Sequence, residues 1–571
     1  MISPTRTLLI ALSLTVTAAA LGQAETPAGA QSEVRARLAF DVAKRFFRND
    51  NYASAIERLE AFVLLYPDSA LKPEAVLLEN QARFQLGQFE GMVTELQAGL
   101  STAGTWSDRY LFWIGEAQFA LSQFAKAAEA YGLLIENYPE SARALEAALG
   151  QAQPPTRSER YEILMRAREL LAERADEFAN LIRLEAGLCM RETRYEVGRA
   201  QEVFKFAAAE ALRDDESIFS CDAAKNGPAR KIFTMREPLS LVAAITPFNH
   251  PLNQVAHKLA PAIAAGVPVL LKPSSKTPLV AIRLTELLYE AGLPSTMLST
   301  FVGDRKTITE ALVRDPRVDL VTFTGGTGPG KNLTTIAGYK KLCLELGGNA
   351  PLIVLKDADL DLAATLATEG SFRNSGQRCT AVKRILVEEP VLAEFTDRFV
   401  ARAGEFTVGD PADEATCIGT VIDEQAAIVL EERVAKAVAA GAEVLLGGRR
   451  NSAQLEPTII AKVPRDAEMV CEESFGPLAP IMPVRDLDDA ITLANASDFG
   501  LSSGVVTNDM TAAIRVVKEL KTGAVNVNQV PGFRMECSPF GGVKDSGLGI
   551  KEGVIEAMKF MTTTKTFSLP W

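Results

Sequence analysis

Leu241-Val-Ala-Ala-Ile-Thr-Pro-Phe-Asn-His250 is an apolar run of strand length that stops at a turn, and Val267-Pro-Val-Leu-Leu-Lys272 repeats the pattern after a helical stretch. Met297–Val302, Val318–Phe323 and Ala350–Val354 continue it downstream. Short apolar runs alternating with amphipathic helices make a parallel, doubly wound sheet, an α/β fold. Ligands of such sheets bind beyond the carboxyl ends of the strands, so the informative residues are expected just after these runs. Upstream, Ile163, Leu164, Ala167, Leu170 and Leu171 at helical spacing predict one long helix over Ser158–Glu185.

The chain of 571 residues carries 60 Lys+Arg against 72 Asp+Glu, a formal charge of −12, with 47% apolar and 23% charged residues. This is ordinary globular material with room for several domains. The acidic balance argues against nucleic-acid binding, which rests on neutralising phosphates. Two histidines, His250 and His257, exclude a site built on three imidazoles, and no metal dependence finds support. Seven cysteines without a Cys-x-x-Cys pair exclude a zinc ribbon and read as reduced thiols.

The first residues have a different texture. Arg6 is followed by an uncharged stretch, Thr7–Ala24, ending in small residues, which reads as a secretory signal peptide over 1–24. From 33 to 140 the pattern is helical and repetitive. Phe47, Phe84 and Phe119 stand 37 and 35 residues apart, each followed five residues later by an aromatic, Tyr52, Phe89 and Phe124. Tyr66-Pro-Asp-Ser-Ala70 recurs as Tyr138-Pro-Glu-Ser-Ala142. With Ala82 and Ala117 at close-packing positions, the segment resembles tetratricopeptide repeats, whose helix pairs stack into a continuous core. The aromatics are expected in that core, and the resemblance implies a protein partner of unknown identity.

Two motifs mislead. Gly500-Leu-Ser-Ser-Gly504 fits a serine-hydrolase elbow, but no histidine follows it. Gly325-Gly-Thr-Gly-Pro-Gly-Lys-Asn332 is one residue from a phosphate-binding loop, with Asn332 where a magnesium-holding hydroxyl belongs. Its glycines still allow backbone N–H groups to approach an anion at a helix start, a dinucleotide pyrophosphate above all.

Residues suited to chemistry follow in order. Cys379, in Asn374-Ser-Gly-Gln-Arg-Cys379, is the best candidate nucleophile, since the charge of Arg378 would favour its thiolate. Glu345 lies 34 residues earlier in Leu344-Glu-Leu-Gly-Gly-Asn349, a carboxylate at the end of an apolar strand and suited to general-base work. Asn249 offers an amide N–H to a developing oxyanion. Lys272 ends the next strand, and Glu473-Ser-Phe-Gly-Pro477 adds a carboxylate and a ring.

In this order and at these spacings the residues from about Ser141 to Trp571 resemble the aldehyde dehydrogenase superfamily. The resemblance implies Cys379 as nucleophile, Glu345 as the base that activates water, and Asn249 as oxyanion donor. It implies NAD or NADP as cofactor. Lys272 would bind the adenine ribose, Gly325 and Gly326 the pyrophosphate, and Glu473 with Phe475 the nicotinamide ribose and ring. Thr246, Pro247, Phe248, Ser275 and Gly303 complete the implied cofactor contacts. It also implies a cofactor domain over 141–344, a catalytic domain over 345–530 and a C-terminal return over 531–571. Ser141–Gln153 resembles the family's first helix, the repeats standing where its first strands would be. Pairing through an exposed hairpin, here Ile218–Thr234, and the last strand implies a homodimer or homotetramer.

The substrate class is read from local similarities. Lys565–Trp571, Phe248–Lys258 and Val530–Arg534 resemble phosphonoacetaldehyde dehydrogenases, which implies oxidation of phosphonoacetaldehyde. Arg378, His250, Arg534 and Arg194, with Arg199 as a further charge, are the candidate anion ligands. Ser375–Arg384 also resembles non-phosphorylating glyceraldehyde-3-phosphate dehydrogenases, making that or a lactaldehyde-type activity the alternative. NAD-preferring relatives carry Glu where Ser275 stands, so NADP is expected to be accepted. A signal-like N-terminus points outside the cytoplasm, whereas a nicotinamide cofactor and a reduced cysteine belong inside it. A different class of function, an exported repeat-mediated binding protein with an idle dehydrogenase passenger, remains as a second alternative.

Overall fold

The computed structural model of the chain describes residues 28–121, 123–138, 141, 154–213, 215–550 and 552–571. The signal-like segment 1–24, most of Ser141–Gln153, and the Pro139, Glu140 and Ala142 positions of the second Tyr-Pro motif lie outside them, as do the side chains of Phe119 and Phe124. The chain divides into two compact units, residues 1–151 and 152–571. Among the described residues no helix is long and apolar enough to cross a membrane.

The first unit is all helical: Ala28–Arg48, Tyr52–Leu65, Lys72–Gln85, Phe89–Gly99, Ser107–Ala120 and Phe124–Asn137, each packed on the next. Phe47 meets Tyr52 edge-on at 5.5 Å and Phe84 meets Phe89 edge-on at 5.2 Å. The constant offset of five therefore closes successive helical hairpins in the same way, an aromatic pair straddling each turn. Arg83 ties the second hairpin to the first by donating to Glu79 and Glu60.

The second unit holds three main sheets. Their strands are β1 (Ile218–Ser220), β2 (Arg230–Pro238), β3 (Val242–Ile245), β4 (Val269–Lys272), β5 (Leu298–Thr300), β6 (Leu320–Thr324), β7 (Lys341–Glu345), β8 (Ala350–Val354), β9 (Val382–Glu388), β10 (Glu443–Leu446), β11 (Thr458–Ala461), β12 (Leu478–Val484), β13 (Ser502–Val506), β14 (Ala524–Val527) and β15 (Thr562–Pro570). A parallel five-stranded sheet runs β5-β4-β3-β6-β7, reversing direction of travel between β3 and β6. That reversal opens a crevice at the carboxyl edge. A seven-stranded sheet runs β10-β11-β12-β9-β8-β13-β14, parallel except at β10, and β1-β2-β15 is antiparallel. The near-miss serine motif is buried, its Ser502, Ser503 and Gly504 opening β13, where they are core.

Two expectations need correction. Ala350–Val354 belongs to the seven-stranded sheet, and the fifth strand of the first sheet is Lys341–Glu345. The long helix over Ser158–Glu185 is two helices, Arg157–Glu173 and Ala175–Ala186, broken at Arg174. The Arg174 guanidinium reaches both oxygens of Glu290, at 2.6 and 2.8 Å, on the helix Pro278–Glu290.

The helix Asn253–Ala265 follows β3, and all thirteen of its residues are buried. It is packed by the helices Met190–Ala211 and Val554–Phe560. Most of its faces are Ala, Leu, Ile and Val, as a fully enclosed helix requires. Its exceptions are Pro261 and the polar residues Asn253, Gln254, His257 and Lys258, of which Gln254 lines the cavity described below.

Candidate active site

The loops after β3, β4 and β6 line a cavity of about 770 Å³, in the range of cofactor sites. Thr246, Pro247, Phe248, Asn249, Lys272, Ser275, Gly325, Gly326, Cys379, Glu473 and Phe475 all face it. Gly303 does not; it lies exposed after β5, where an added Cβ would meet Ile308 at 2.8 Å.

The cavity wall fits a dinucleotide. Lys272 is buried and its ammonium has only the Pro273 carbonyl, at 3.4 Å, so its donors are available. Thr246 Oγ1, Thr324 Oγ1 and Gln254 Oε1 are buried without a hydrogen-bond partner, although such atoms are nearly always paired. Gly326 is the N-cap of the helix Thr327–Ile336, which aims free N–H groups and the positive end of its dipole at the cavity. The Phe248 and Phe475 rings stand edge-to-face at 5.7 Å. Ser275 sits among Lys272, Lys276, Arg305 and Lys306. Lys276 is paired with Asp423, while Arg305 and Lys306 form no ion pair among the described residues.

Cys379 sits at one end of this cavity because its loop is forced there. Asn374, Ser375 and Gly376 are consecutive left-handed residues, with φ of 58°, 52° and 67°. For the two that are not glycine this costs about 1–3 kcal/mol each, strain characteristic of functional loops. The Asn374 amide helps to hold the turn by donating to Asn249 O at 3.1 Å, and Asn249 Nδ2 donates back to Gln377 O at 2.8 Å. Asn249 and Cys379 are thus fixed to each other. The Cys379 backbone N–H has no acceptor among the described residues, which leaves it free for an oxyanion.

Arg378 favours the Cys379 thiolate through its charge, as expected, but too weakly to set its resting form. Arg378 turns away and donates to Glu369 O and Gly370 O, both at 2.9 Å, on the last turn of the helix Leu360–Phe372. There burial pulls its own pKa down to about 10. Burial pushes the Cys379 thiol well above its ordinary range, and the Glu345 and Glu473 carboxylates add to this; Arg534 and Arg378 oppose it only in part. The resting form is therefore the thiol.

Glu345 closes β7, fully buried, with the Glu552 carboxyl beside it and no Arg, Lys or backbone N–H donating to it among the described residues. Burial raises it to about 8, and the charge of neighbouring Glu552 adds to the rise. Glu552 is held down at about 2 despite its burial, because Lys258 faces it at 2.9 Å. Thr322 Oγ1 accepts from Lys258 at 2.8 Å and donates to Glu552 at 3.2 Å. At neutral pH the pair shares one proton, seated on Glu345. Sequence reasoning missed Lys258, Glu552 and Thr322. A lysine inside an otherwise apolar helix was the available signal.

The candidate anion ligands separate in space. Arg534 lies half-buried over the Phe540 ring at 4.1 Å, with no ion-pair partner among the described residues, and its charge acts on both Cys379 and Glu345. Arg199 is bound to Glu536 at 2.5 Å, and His257 Nε2 meets the same carboxylate at 2.5 Å. His250 faces Glu196 at 3.5 Å, away from the cavity, while Glu196 caps the helix Asn253–Ala265 through Leu252 N and Asn253 N. Arg194 is an exposed surface residue paired with Glu414 at 2.8 Å and with Asp176 at 3.6 Å. Of the candidate anion ligands, Arg534 and Arg378 act on Cys379 through their charge, while Arg194 and His250 face carboxylates elsewhere.

Comparisons with known proteins agree with this geometry. A family model described as the aldehyde dehydrogenase family matches residues 125–567. The chain is similar to a 3-sulfolactaldehyde dehydrogenase of Priestia aryabhattai, 41% identical over 411 residues, covering 72% of this chain and 86% of the relative. It is similar to a lactaldehyde dehydrogenase of Methanococcus maripaludis, 40% identical over 415 residues, covering 72% and 87%. Among solved structures it resembles the glyceraldehyde-3-phosphate dehydrogenase GapN of Methanocaldococcus jannaschii complexed with NADP, with a TM-score of 0.71 and 37% identity, covering 75% of this chain and 92% of that one.

Proposed function

The chain belongs to the aldehyde dehydrogenase family and is an NAD(P)-dependent aldehyde dehydrogenase, and from that premise we propose that it oxidises a short 2-hydroxyaldehyde with an anionic tail, such as 3-sulfolactaldehyde or glyceraldehyde 3-phosphate, to the acid. Arg534 carries this reading: a cation with no direct ion pair among the described residues, acting on Cys379 through its charge, suits a sulfonate or phosphate one or two carbons from the aldehyde. Gln254 Oε1, buried, unpartnered and lining the same cavity, suits a hydroxyl donor. The names of the relatives favour this class over phosphonoacetaldehyde.

The Cys379 proton passes to water and the sulfur bonds to the aldehyde carbon, giving an oxyanion that Asn249 Nδ2 and the Cys379 N–H stabilise. Glu473 and Phe475 would hold a nicotinamide, which would supply a two-electron acceptor for hydride from that carbon. Collapse leaves a thioester on Cys379. Glu345 takes a proton from water, the water oxygen bonds to the acyl carbon, and the C–S bond breaks to release acid and sulfur.

The test compares kcat/KM for 3-sulfolactaldehyde, glyceraldehyde 3-phosphate, lactaldehyde and phosphonoacetaldehyde. Higher efficiency with either of the last two than with both hydroxylated anions would refute the class. Arg534→Leu is expected to lower kcat/KM for the anionic aldehydes about 10- to 100-fold, the worth of one charge-assisted hydrogen bond, while propanal changes little.

Ser275 with its neighbours Arg305 and Lys306 supports acceptance of NADP, since position 275 itself carries no carboxylate to repel a 2′-phosphate. Ser275→Glu is expected to shift the ratio of catalytic efficiencies toward NAD by about tenfold or more, from like-charge repulsion. An unchanged ratio in the variant would remove the role of Ser275.

The exposed sheet β1-β2-β15, with Ile218, Phe219 and Leu569 open to solvent, supports self-association. The recurring aromatic pairs of the first unit support a tetratricopeptide-like, partner-binding module.

A further inference from the structure

Lys383 is buried on β9, four residues past Cys379. Its Nζ donates to Gly376 O at 2.6 Å and to Gly476 O at 2.9 Å. The first carbonyl ends the left-handed run three residues before Cys379. The second lies beside Phe475, three residues past Glu473. The two loops touch at these glycines, since a Cβ on Gly376 would stand 2.2 Å from Gly476 O. An ammonium is costly to bury, and an apolar side chain would pack here without that cost, so packing alone does not account for a lysine. Burial lowers Lys383 to about 7, against the opposing charge of Glu473, and its charge also acts on Cys379.

We propose that Lys383 is a positioning residue for aldehyde oxidation: its ammonium ties the loop that carries Cys379 to the loop that carries Glu473 and Phe475, and so fixes the sulfur relative to the nicotinamide subsite. The role goes beyond the family's activity and does not depend on the substrate class proposed above.

Full-length Lys383→Met and Lys383→Gln test it. Met removes the charge and both donors. Gln removes the charge but, one bond shorter, keeps a donor for one carbonyl. In the cofactor-free protein at pH 6, where Lys383 is charged, the rate of Cys379 alkylation by iodoacetamide, read by peptide mass spectrometry, is expected to fall about 3- to 10-fold in both variants, because a cation near the thiolate is gone. With NADP and [1-²H]propanal, a probe with neither hydroxyl nor anion, Met is expected to lose about 100-fold in kcat, and Gln about tenfold. The deuterium isotope effect on kcat should rise in the same order and the propanal KM stay nearly constant, as misaligned hydride transfer becomes limiting. Unchanged alkylation rates at pH 6 in both variants would overturn the proposal, as would a fall in kcat without a rise in the isotope effect. If Met does not fold, Gln alone decides: a wild-type alkylation rate or a wild-type isotope effect refutes the tie.

Discussion

Cys379→Ala is expected to abolish aldehyde-dependent NAD(P)H formation, lowering kcat/KM by at least about 10⁴-fold, because no other group at the end of the cavity can form the acyl bond. NADP affinity should stay near the wild-type value, since Lys272, the Gly325-Gly326 turn and the walls around Ser275 are untouched. Calorimetric titration with NADP beside an activity assay separates the two effects. A variant retaining a tenth of wild-type turnover would take the sulfur out of the mechanism. The strongly raised Cys379 thiol has a related consequence: the cofactor-free protein should alkylate slowly at neutral pH and faster as pH rises.

Glu345→Gln should separate the two halves of the reaction. Without a base for water, steady-state kcat is expected to fall about 10²- to 10³-fold, while a burst of one NAD(P)H per site persists, since thioester formation does not use this carboxylate. The sign of the pH dependence follows from the raised pKa. Below about 8 Glu345 holds its proton and cannot act as base; as pH rises through about 8 it loses the proton, and wild-type kcat climbs to a plateau. The Gln variant should lack that rising limb. Stopped-flow measurement of the burst, with a pH profile of kcat, reads both. Loss of the burst in the variant would assign Glu345 to the first half-reaction instead.

The candidate base and oxyanion donor could be picked out in the sequence because parallel sheets put their chemistry where apolar runs end, and the candidate nucleophile Cys379 stands just before β9. Glu345 closes β7, and Asn249 and Lys272 follow or close β3 and β4. The cavity wall was readable for the same reason. What stayed hidden depends on long separations or on direction. Lys258 meets Glu552 across 294 residues, and Arg194 is held by Glu414 across 220, distances over which a single sequence carries no pairing signal. Arg378 adjoins Cys379 in sequence, yet adjacency does not say which way a side chain points, and this one caps a helix end. The break at Arg174 escaped because the apolar spacing runs through it and the Glu290 partner lies 116 residues on.

The enclosed helix Asn253–Ala265 also governs how the molecule fails. A helix buried on every side has no partly opened state in which water can solvate it cheaply. The same helix carries Lys258 and His257 and follows the Asn249 loop, so heat cannot melt it locally and spare the rest. Thermal inactivation should therefore coincide with cooperative collapse of the whole 152–571 unit, with no gradual dimming of activity beforehand.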